Sequence, residues 1–345
     1  WNGGKYIPYL FASLRNQTYT NWKLYIWDNA SSDDTYARIT HELSSVSFPH
    51  ESFLAPENSG FAGGHNQLYQ KTKAPYFLLL NQDMYLSPDC FARMIAYMEG
   101  HPHVAAVSPR LMRWDMAMLQ SGEASSLEKS FTPYIDSLGL AVSKNRRVLE
   151  QYTAQEWTSV ASQLSFSPES KSVLPVFGVS GAFPLLRRQS IETIAFKNNT
   201  FLDALYHSYK EDVDLAFRLR RRGYEAAVLL DTVAYHDRSA AGPKELSDAA
   251  ARENKQKQSN WVKVHSYKNH LMTLYKNEYW QNLVLDFPAI FWYELKKFVY
   301  FLLYDRAVLQ GLFSLWKYRK DIQQTKKHIH DHTTASFKDL RRWWT

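Results

Sequence analysis

Tyr76-Phe77-Leu78-Leu79-Leu80-Asn81-Gln82-Asp83 is an unbroken apolar run that closes on a carboxylate. Five apolar residues with no polar alternation read as a strand buried on both faces. An acid at the C-terminal edge of such a strand stands where open α/β sheets bind their ligands. A second stretch, Glu211-Asp212-Val213-Asp214-Leu215, opens a helix that continues through Phe217 and Leu219. A single acid there would be favourable charge at a helix N-terminus. Two adjacent acids after the aromatic and basic residues Tyr206, Tyr209 and Lys210 weaken that reading. One acid to hold a metal on a diphosphate, and another to take a proton from a hydroxyl, suffice for group transfer from a nucleotide-activated donor.

Upstream of the strand, Ile7, Leu10, Phe11 and Leu14 recur at helical spacing, and residues 24–27 read as a short buried strand ending at Asp28-Asn29. Ser31-Ser32-Asp33-Asp34 offers caps for a helix carrying Ile39 and Leu43. Residues 52–54 are a third strand leading into Asn58-Ser59-Gly60-Phe61-Ala62-Gly63-Gly64, and 66–72 are helical. Downstream, Pro88 starts a helix with Met94, Ile95 and Met98, and 104–107 form another strand. This alternation predicts an α/β fold with a mostly parallel central sheet flanked by helices. Residues 121–172 are weakly patterned and polar, and read as loops and edge structure. Residues 177–186 read as a strand around Ser180-Gly181-Ala182, and 226–230 and 233–236 as strands closing on His236. The expected division is a catalytic unit over 1–240 and, over 241–345, a lid-like loop (240–260) followed by a basic helical extension.

Composition narrows the class. The chain has 345 residues, 45% hydrophobic and 15% aromatic, which suits a folded protein with a large core. Its single cysteine, Cys90, excludes intramolecular disulfides and a four-thiolate zinc site, and fits a reducing, cytoplasmic setting. Of the net charge of +7, the last 30 residues contribute +5, from eight Lys/Arg against three Asp. Such a tail meets nucleic acid, anionic lipid or only water. Leu283, Phe287, Phe291, Leu295, Phe298 and Leu302 form one helical face, which either packs on the catalytic unit or, with Lys296, Lys297 and the tail, suits an anionic membrane surface. Glu294, Lys296 and Lys297 interrupt it well short of the ~20 apolar residues a span needs. The chain opens on Trp1 rather than Met, so an upstream piece including the first strand is expected.

Each motif has a bland reading beside the functional one. Asp28-Asn29 suits the edge of a base or ribose, or else an Asx-turn and cap. The spacing of Gly60, Gly63 and Gly64 matches neither a dinucleotide fingerprint nor a P-loop, yet permits close backbone approach to a ligand at a helix start. His236 is either a hydrogen-bonded structural residue or, paired with Asp83, part of an O/N set for Mn2+ or Mg2+.

In order, Trp-Asn-Gly-Gly, Asp-Asn-Ala-Ser-Ser-Asp, Asn-Ser-Gly-Phe-Ala-Gly-Gly-His-Asn, Leu-Leu-Leu-Asn-Gln-Asp, Ser-Gly-Ala, Glu-Asp-Val-Asp-Leu and Tyr-His resemble the inverting family-2 glycosyltransferases of GT-A fold, rhamnosyltransferase-like branch, over about residues 1–240. The resemblance implies that Trp1 stacks on the nucleobase, with Asn2 beside it at the first strand's end. It implies that Asp28 and Asn29 contact base and ribose, and that Asp83 binds the metal on the diphosphate. Asn81 stands where the family carries the first Asp of its Asp-x-Asp motif. Asp212 takes the position of the catalytic base, and His236 one that completes the metal site. Asn58, Gly60, Gly63, Asn81, Gln82, Gly181 and Glu211 fall in the segments that line the donor. The expected activity is sugar transfer with inversion from a nucleotide-diphosphate donor, dTDP-rhamnose first, to a hydroxyl of a saccharide or lipid-linked saccharide in cell-surface polysaccharide or glycolipid synthesis. The expected place is cytoplasmic, peripheral on the inner face of the plasma membrane, with no nucleic acid partner. The alternatives are a sugar-phosphate nucleotidyltransferase, which would release pyrophosphate, and a non-catalytic membrane or nucleic-acid adaptor, whose activity deletion of 316–345 would abolish.

Overall fold

The computed structural model describes residues 1–238 and 258–345, so the expected lid over 240–260 lies, apart from its last three residues, outside the described residues. The N-terminal alternation folds as read. Helix α1 (Ile7–Arg15), strand β1 (Leu24–Asp28), helix α2 (Thr35–Leu43), strand β2 (His50–Leu54), helix α3 (Gly60–Lys71) and strand β3 (Tyr76–Leu78) follow one another. β1 and β2 pair in parallel as a two-stranded sheet. The Gly60–Gly64 stretch is not a loop ahead of a helix but its first turn.

After β3 come β4 (Met84–Leu86), α4 (Cys90–Gly100), the long β5 (Val104–Trp114), α5 (Met116–Ser121), β6 (Phe131–Ser137), β7 (Leu140–Val142), β8 (Val148–Glu150) and α6 (Trp157–Gln163). Then follow β9 (Val173–Pro175), β10 (Leu185–Arg187), α7 (Arg188–Glu192), α8 (Glu211–Arg221) and β11 (Glu225–His236). The seven-stranded sheet runs β3-β10-β5-β11-β4, with β6 on β5 and β9 on β11. Within it β5 and β11 are parallel, while β10 opposes both its neighbours and β4, β6 and β9 are antiparallel to theirs. The sheet is therefore mixed rather than mostly parallel. Parallel neighbours need long crossovers. Strand–helix alternation in the sequence shows that crossovers exist, but not the slot or direction in which β10 is inserted.

Two further readings change. The ladder of the deciding strand stops at Leu78, although Leu79 and Asn81 still donate to the carbonyls of Pro184 and Ala182, both at 3.0 Å. Residues 177–184 are irregular rather than strand, because their backbone groups are engaged elsewhere. Leu140 donates to Gly178 at 2.8 Å, and a Cβ at Gly178 would come within 2.3 Å of the Ala216 methyl on α8.

One core face joins α1 and α4 to the sheet through Leu10, Leu14, Met94, Met98, Val107 and Leu185. The other carries α7 and α8 through Ile191, Leu215 and Leu219. The C-terminal region is helical, as expected: α9 (Asn260–Asn277), α10 (Trp280–Leu285), α11 (Phe287–Tyr304), α12 (Gln310–Lys317), α13 (Arg319–Asp331) and α14 (Phe337–Arg341). Leu340 and Trp344 enter a core cluster with Phe177, Val213 and Phe217. Buried Arg146 binds Glu278 and, at 3.0 Å, Asp286, which Arg341 reaches at 2.7 Å. The basic tail is thus folded onto the body, while Lys317, Arg319, Lys320, Lys326 and Lys327 stay exposed. No helix among the described residues is long and apolar enough to cross a membrane.

Candidate active site

The segment Ser180-Gly181-Ala182 joins the two stretches that the sequence singled out. Ala182 accepts the Asn81 amide at 3.0 Å and so holds the end of the deciding strand. The Gly181 amide donates to Asp212 Oδ2 at 3.1 Å, and Asp212 Oδ1 takes the Val213 amide at 2.8 Å. Ser180 Oγ lies 3.3 Å from Arg238, which also binds Asp136 at 3.1 Å and Glu150 at 3.0 Å. Asp136 in turn faces His236 Nδ1 at 2.9 Å, and His236 Nε2 lies 3.4 Å from Asp83. A continuous polar chain therefore runs from Asp212 to Asp83.

Burial opposes a charge on His236, but the carboxylates of Asp83 and Asp136 on either side outweigh it and raise the imidazole to about 9. Burial likewise works against an ionised Asp136, yet Arg238 and His236 hold it below the usual carboxylate range. Glu150 is half-buried, and desolvation pushes its carboxyl up despite Arg238. Nothing in the local sequence marks Asp136, Glu150 or Arg238 as part of a site. The first two sit in the weakly patterned stretch 121–172, and Arg238 lies two residues beyond the end of β11.

The acids of α8 divide their roles by environment. Glu211 is buried, and burial followed by the neighbouring Asp212 carboxylate raises it to about 8. Asp214 is fully buried, but Lys276 first and Arg218 second hold it down to about 2. Asp214 lies 3.0 Å from Lys276 and 2.9 Å from Arg218, and takes hydrogen bonds from Tyr206 and Asn277. Asp212 alone of the three is partly open to solvent. The loop before it is strained: His207, Tyr209 and Lys210 adopt φ of 60°, 72° and 71°, which is uncommon for residues with a Cβ. Asn269 of α9 fixes that loop by donating to the carbonyls of Tyr206, Ser208 and Tyr209 at 2.9, 2.9 and 2.7 Å.

The first three residues lie between the ends of β1 and β3. Gln82 exchanges hydrogen bonds with the Trp1 backbone, both at 3.0 Å, which leaves the Trp1 ring exposed. Asn2 pairs with Ser31 and Ser32, and the Ser32 amide donates to its side chain at 2.8 Å. Buried Asp28 accepts from the Ser31 amide at 2.7 Å, as in an Asx-turn, while its Oδ2 meets no partner. An orphaned buried acceptor costs free energy unless a donor arrives, so Asp28 keeps the property a base or ribose contact requires. Asn29 is committed to the next loop, donating to the Gly60 carbonyl at 2.9 Å and accepting from the Ser59 amide at 2.9 Å. Asn58 caps the Gly60 amide at 2.8 Å. Gly60 has φ +75°, and a Cβ there would lie 2.5 Å from the His207 carbonyl, so only glycine lets α3 start against the α8 loop. A Cβ on Gly63 would meet Ser59 at 2.7 Å.

Among the described residues no group of three or more His, Cys, Asp or Glu side chains could hold a metal by itself. Asp83, in the turn just before β4, and His236, at the end of β11, form a pair, one oxygen and one nitrogen. Such a pair fits a Mn2+ or Mg2+ site completed by phosphate oxygens and water, as these ions commonly use one or two protein ligands beside a nucleotide. Binding there requires His236 to give up its proton.

Residues 1–118 match the family model Glycosyl transferase family 2. That span holds Trp1, Asn2, Asp28, Asn29, Asn58, Gly60 and Asp83, and stops before Gly181, Asp212 and His236. The fold is GT-A with a helical C-terminal region. Among solved structures it is similar to that of GalNAc-T7 with UDP, GalNAc and Mn2+, at 10% identity and a TM-score of 0.57 over 93% of this chain and 55% of that one. It is also similar to the mannosyltransferase PcManGT from Pyrobaculum calidifontis in complex with GDP-Man and Mn2+, at 13% identity and a TM-score of 0.50 over 93% of this chain and 73% of that one. Among curated proteins, the uncharacterized protein y4gI of Sinorhizobium fredii (strain NBRC 101917 / NGR234) is 24% identical over 93 residues, which are 27% of this chain and 10% of that protein. The chain thus spans about half of the GalNAc-T7 chain and a tenth of y4gI.

Proposed function

We propose that this chain transfers a sugar from a nucleotide-diphosphate donor to a hydroxyl acceptor with inversion, using Asp212 as the base. The observation that carries the reading is the Ser180-Gly181-Ala182 junction, which ties the Asp212 carboxylate through Arg238, Asp136 and His236 to Asp83 in one polar chain. A hydroxyl is a poor nucleophile at neutral pH and needs a base within hydrogen-bond reach. Asp212, partly open and held by two backbone amides, fills that role, while protonated Glu211 and ion-paired Asp214 are already committed. As Asp212 takes the acceptor proton, the acceptor oxygen bonds to the anomeric carbon and the bond to the diphosphate oxygen breaks. A divalent cation held by Asp83 and His236 would supply charge stabilisation for that leaving group. Asp28 would receive a donor hydrogen of the base or ribose, and the exposed Trp1 ring would stack on the base.

The family match at residues 1–118 supports a nucleotide-sugar donor, as do the UDP and GDP-Man complexes of the two similar structures. The motif resemblance puts dTDP-rhamnose first among donors, and a saccharide or lipid-linked saccharide as acceptor. The test is a panel of nucleotide sugars with Mn2+, scored by thermal stabilisation and by product. Release of nucleoside diphosphate is expected; release of pyrophosphate would mean nucleotidyl transfer, and no binding to any donor would sink the proposal.

A further inference from the structure

Helix α11 is apolar on both sides, and its buried Phe301 packs inward with Tyr267 and Val308. Its inward side carries Glu294 and Lys297: His270 Nε2 of α9 lies 2.7 Å from Glu294, and Lys297 donates to the same carboxylate at 3.2 Å. Its outward side carries Phe291, Leu295, Phe298 and Leu302, spaced four, three and four apart, which are 52%, 37%, 39% and 41% exposed. A helix on the surface of a protein bathed in water turns charged residues, not an apolar stripe, toward solvent. The sequence left two destinations for this face, and the fold turns it away from the catalytic body. The exposure continues on the neighbouring helices, with Trp280 and Val284 on α10 and Phe313 and Trp316 on α12. Soluble monomers rarely expose large apolar patches unless something binds them.

The charges around this surface select the occupant. From residue 280 to 320 every exposed charged side chain is a cation: Lys296, Arg306, Lys317, Arg319 and Lys320. The acids of the same stretch are withdrawn, since Asp286 and Glu294 are paired inward and Asp305 binds Lys263 at 2.7 Å. Arg319 lies over the Trp316 ring at 4.6 Å, which puts an aromatic body beside a cation, as interfacial residues are arranged. A second copy joined by two-fold symmetry would bring these cations against their own counterparts. An anionic lipid surface satisfies both the apolar face and its charges. Because no described helix is long enough to cross, the contact lies in the plane of the surface.

We propose that α10, α11 and α12 form an in-plane docking face for an anionic lipid surface. The proposal goes beyond glycosyl transfer and does not depend on it, because lipid binding and donor binding are read separately. The test is flotation of the intact chain with vesicles of phosphatidylglycerol and phosphatidylcholine in equal parts, at low and high salt. Binding is expected at low salt, with loss of at least ~10-fold in Phe291→Glu/Phe298→Glu. Lys317→Gln and Lys320→Gln should each weaken it roughly fivefold. Both altered surfaces are exposed, so circular dichroism and the thermal shift with donor should be unchanged. Phe313→Ser/Trp316→Ser serves as an independent pair should the first fold poorly. Failure to float at low salt, or undiminished binding by both double variants, overturns the proposal. Equal binding to phosphatidylcholine alone overturns the anionic assignment. A dimer in light scattering that the same variants dissociate, without lipid binding, assigns the face to a second copy instead.

Discussion

Replacing Asp212 by Asn alters one atom and removes one charge, so its effect can be worked out from the two bonds the carboxylate makes. Asp212 accepts from the amides of Gly181 at 3.1 Å and Val213 at 2.8 Å. Asn retains one acceptor and must turn its NH2 toward the other amide, losing one hydrogen bond worth ~0.5–1.5 kcal/mol. If Asp212 only positioned the Ser180-Gly181-Ala182 segment, turnover would fall by about tenfold at most. A lost general base costs ~10²–10⁴ in rate, about 2.7–5.5 kcal/mol. The two ranges do not overlap. The expectation is therefore a kcat reduced by at least ~10², with donor affinity within about threefold of the parent. The assay is nucleoside diphosphate release at saturating donor, acceptor and Mn2+, with donor affinity from calorimetry. Glu211→Gln mimics the protonated state of its buried acid and should leave kcat at pH 7 within about threefold of the parent. Asp214→Asn leaves Lys276 and Arg218 short of a counter-charge and should cost ~3–5 kcal/mol of stability rather than chemistry. Near-normal turnover in Asp212→Asn would falsify the base assignment and direct suspicion to Glu211.

Chelation with EDTA should abolish transfer, and Asp83→Ala should lose Mn2+-dependent donor binding by calorimetry; transfer that survives EDTA would leave basic side chains to neutralise the diphosphate. Asp136→Asn removes the partner that orients His236 and should weaken Mn2+-dependent donor binding ~10–100-fold, and an unchanged affinity would show that Asp136 has no part in the site. Glu211 rises from an ordinary 4.5 to about 8 in the fold, so the native state holds a proton that the unfolded chain releases. Its contribution to stability is full below about 4.5 and is lost as pH rises through about 8, with a slope of up to ~1.4 kcal/mol per pH unit between those values. Urea titrations at several pH values should show this fall in the parent and a flatter profile in Glu211→Gln, and identical profiles would refute the assignment.

What the sequence disclosed followed the strength of its local patterns. Most elements from Ile7 to Val107 follow the order that hydrophobic spacing and turn residues give them, although α3 starts at Gly60, β3 stops at Leu78 and β4 has no separate signal. Ser180-Gly181-Ala182 was legible as a run of small residues, but its irregular backbone is held by Asn81 and Asp212, neither of them near in sequence. Asp136 and Glu150 gave no signal, since single acids on short strands in a polar stretch look like any solvated edge. Their meaning comes from burial beside Arg238 and His236, a tertiary property. The face of α11 was legible as a stripe. Which side it turned could not be read, because periodicity is the same for a helix that packs its apolar face inward or outward.

The last residues of the chain sit behind the helix that carries Asp212. Trp344 lies between Phe177 and Phe217, with ring centres 5.7 and 5.9 Å away, and the Thr345 amide donates to Val142 at 2.9 Å. Phe217 is on α8, one and a half turns from Asp212. Cutting away residues 316–345, which from the sequence would separate an adaptor from an enzyme, would also strip the wedge on which α8 rests. Such a truncation would silence either kind of protein, so a variant meant to separate the two ideas must exchange single exposed cations and leave the wedge in place.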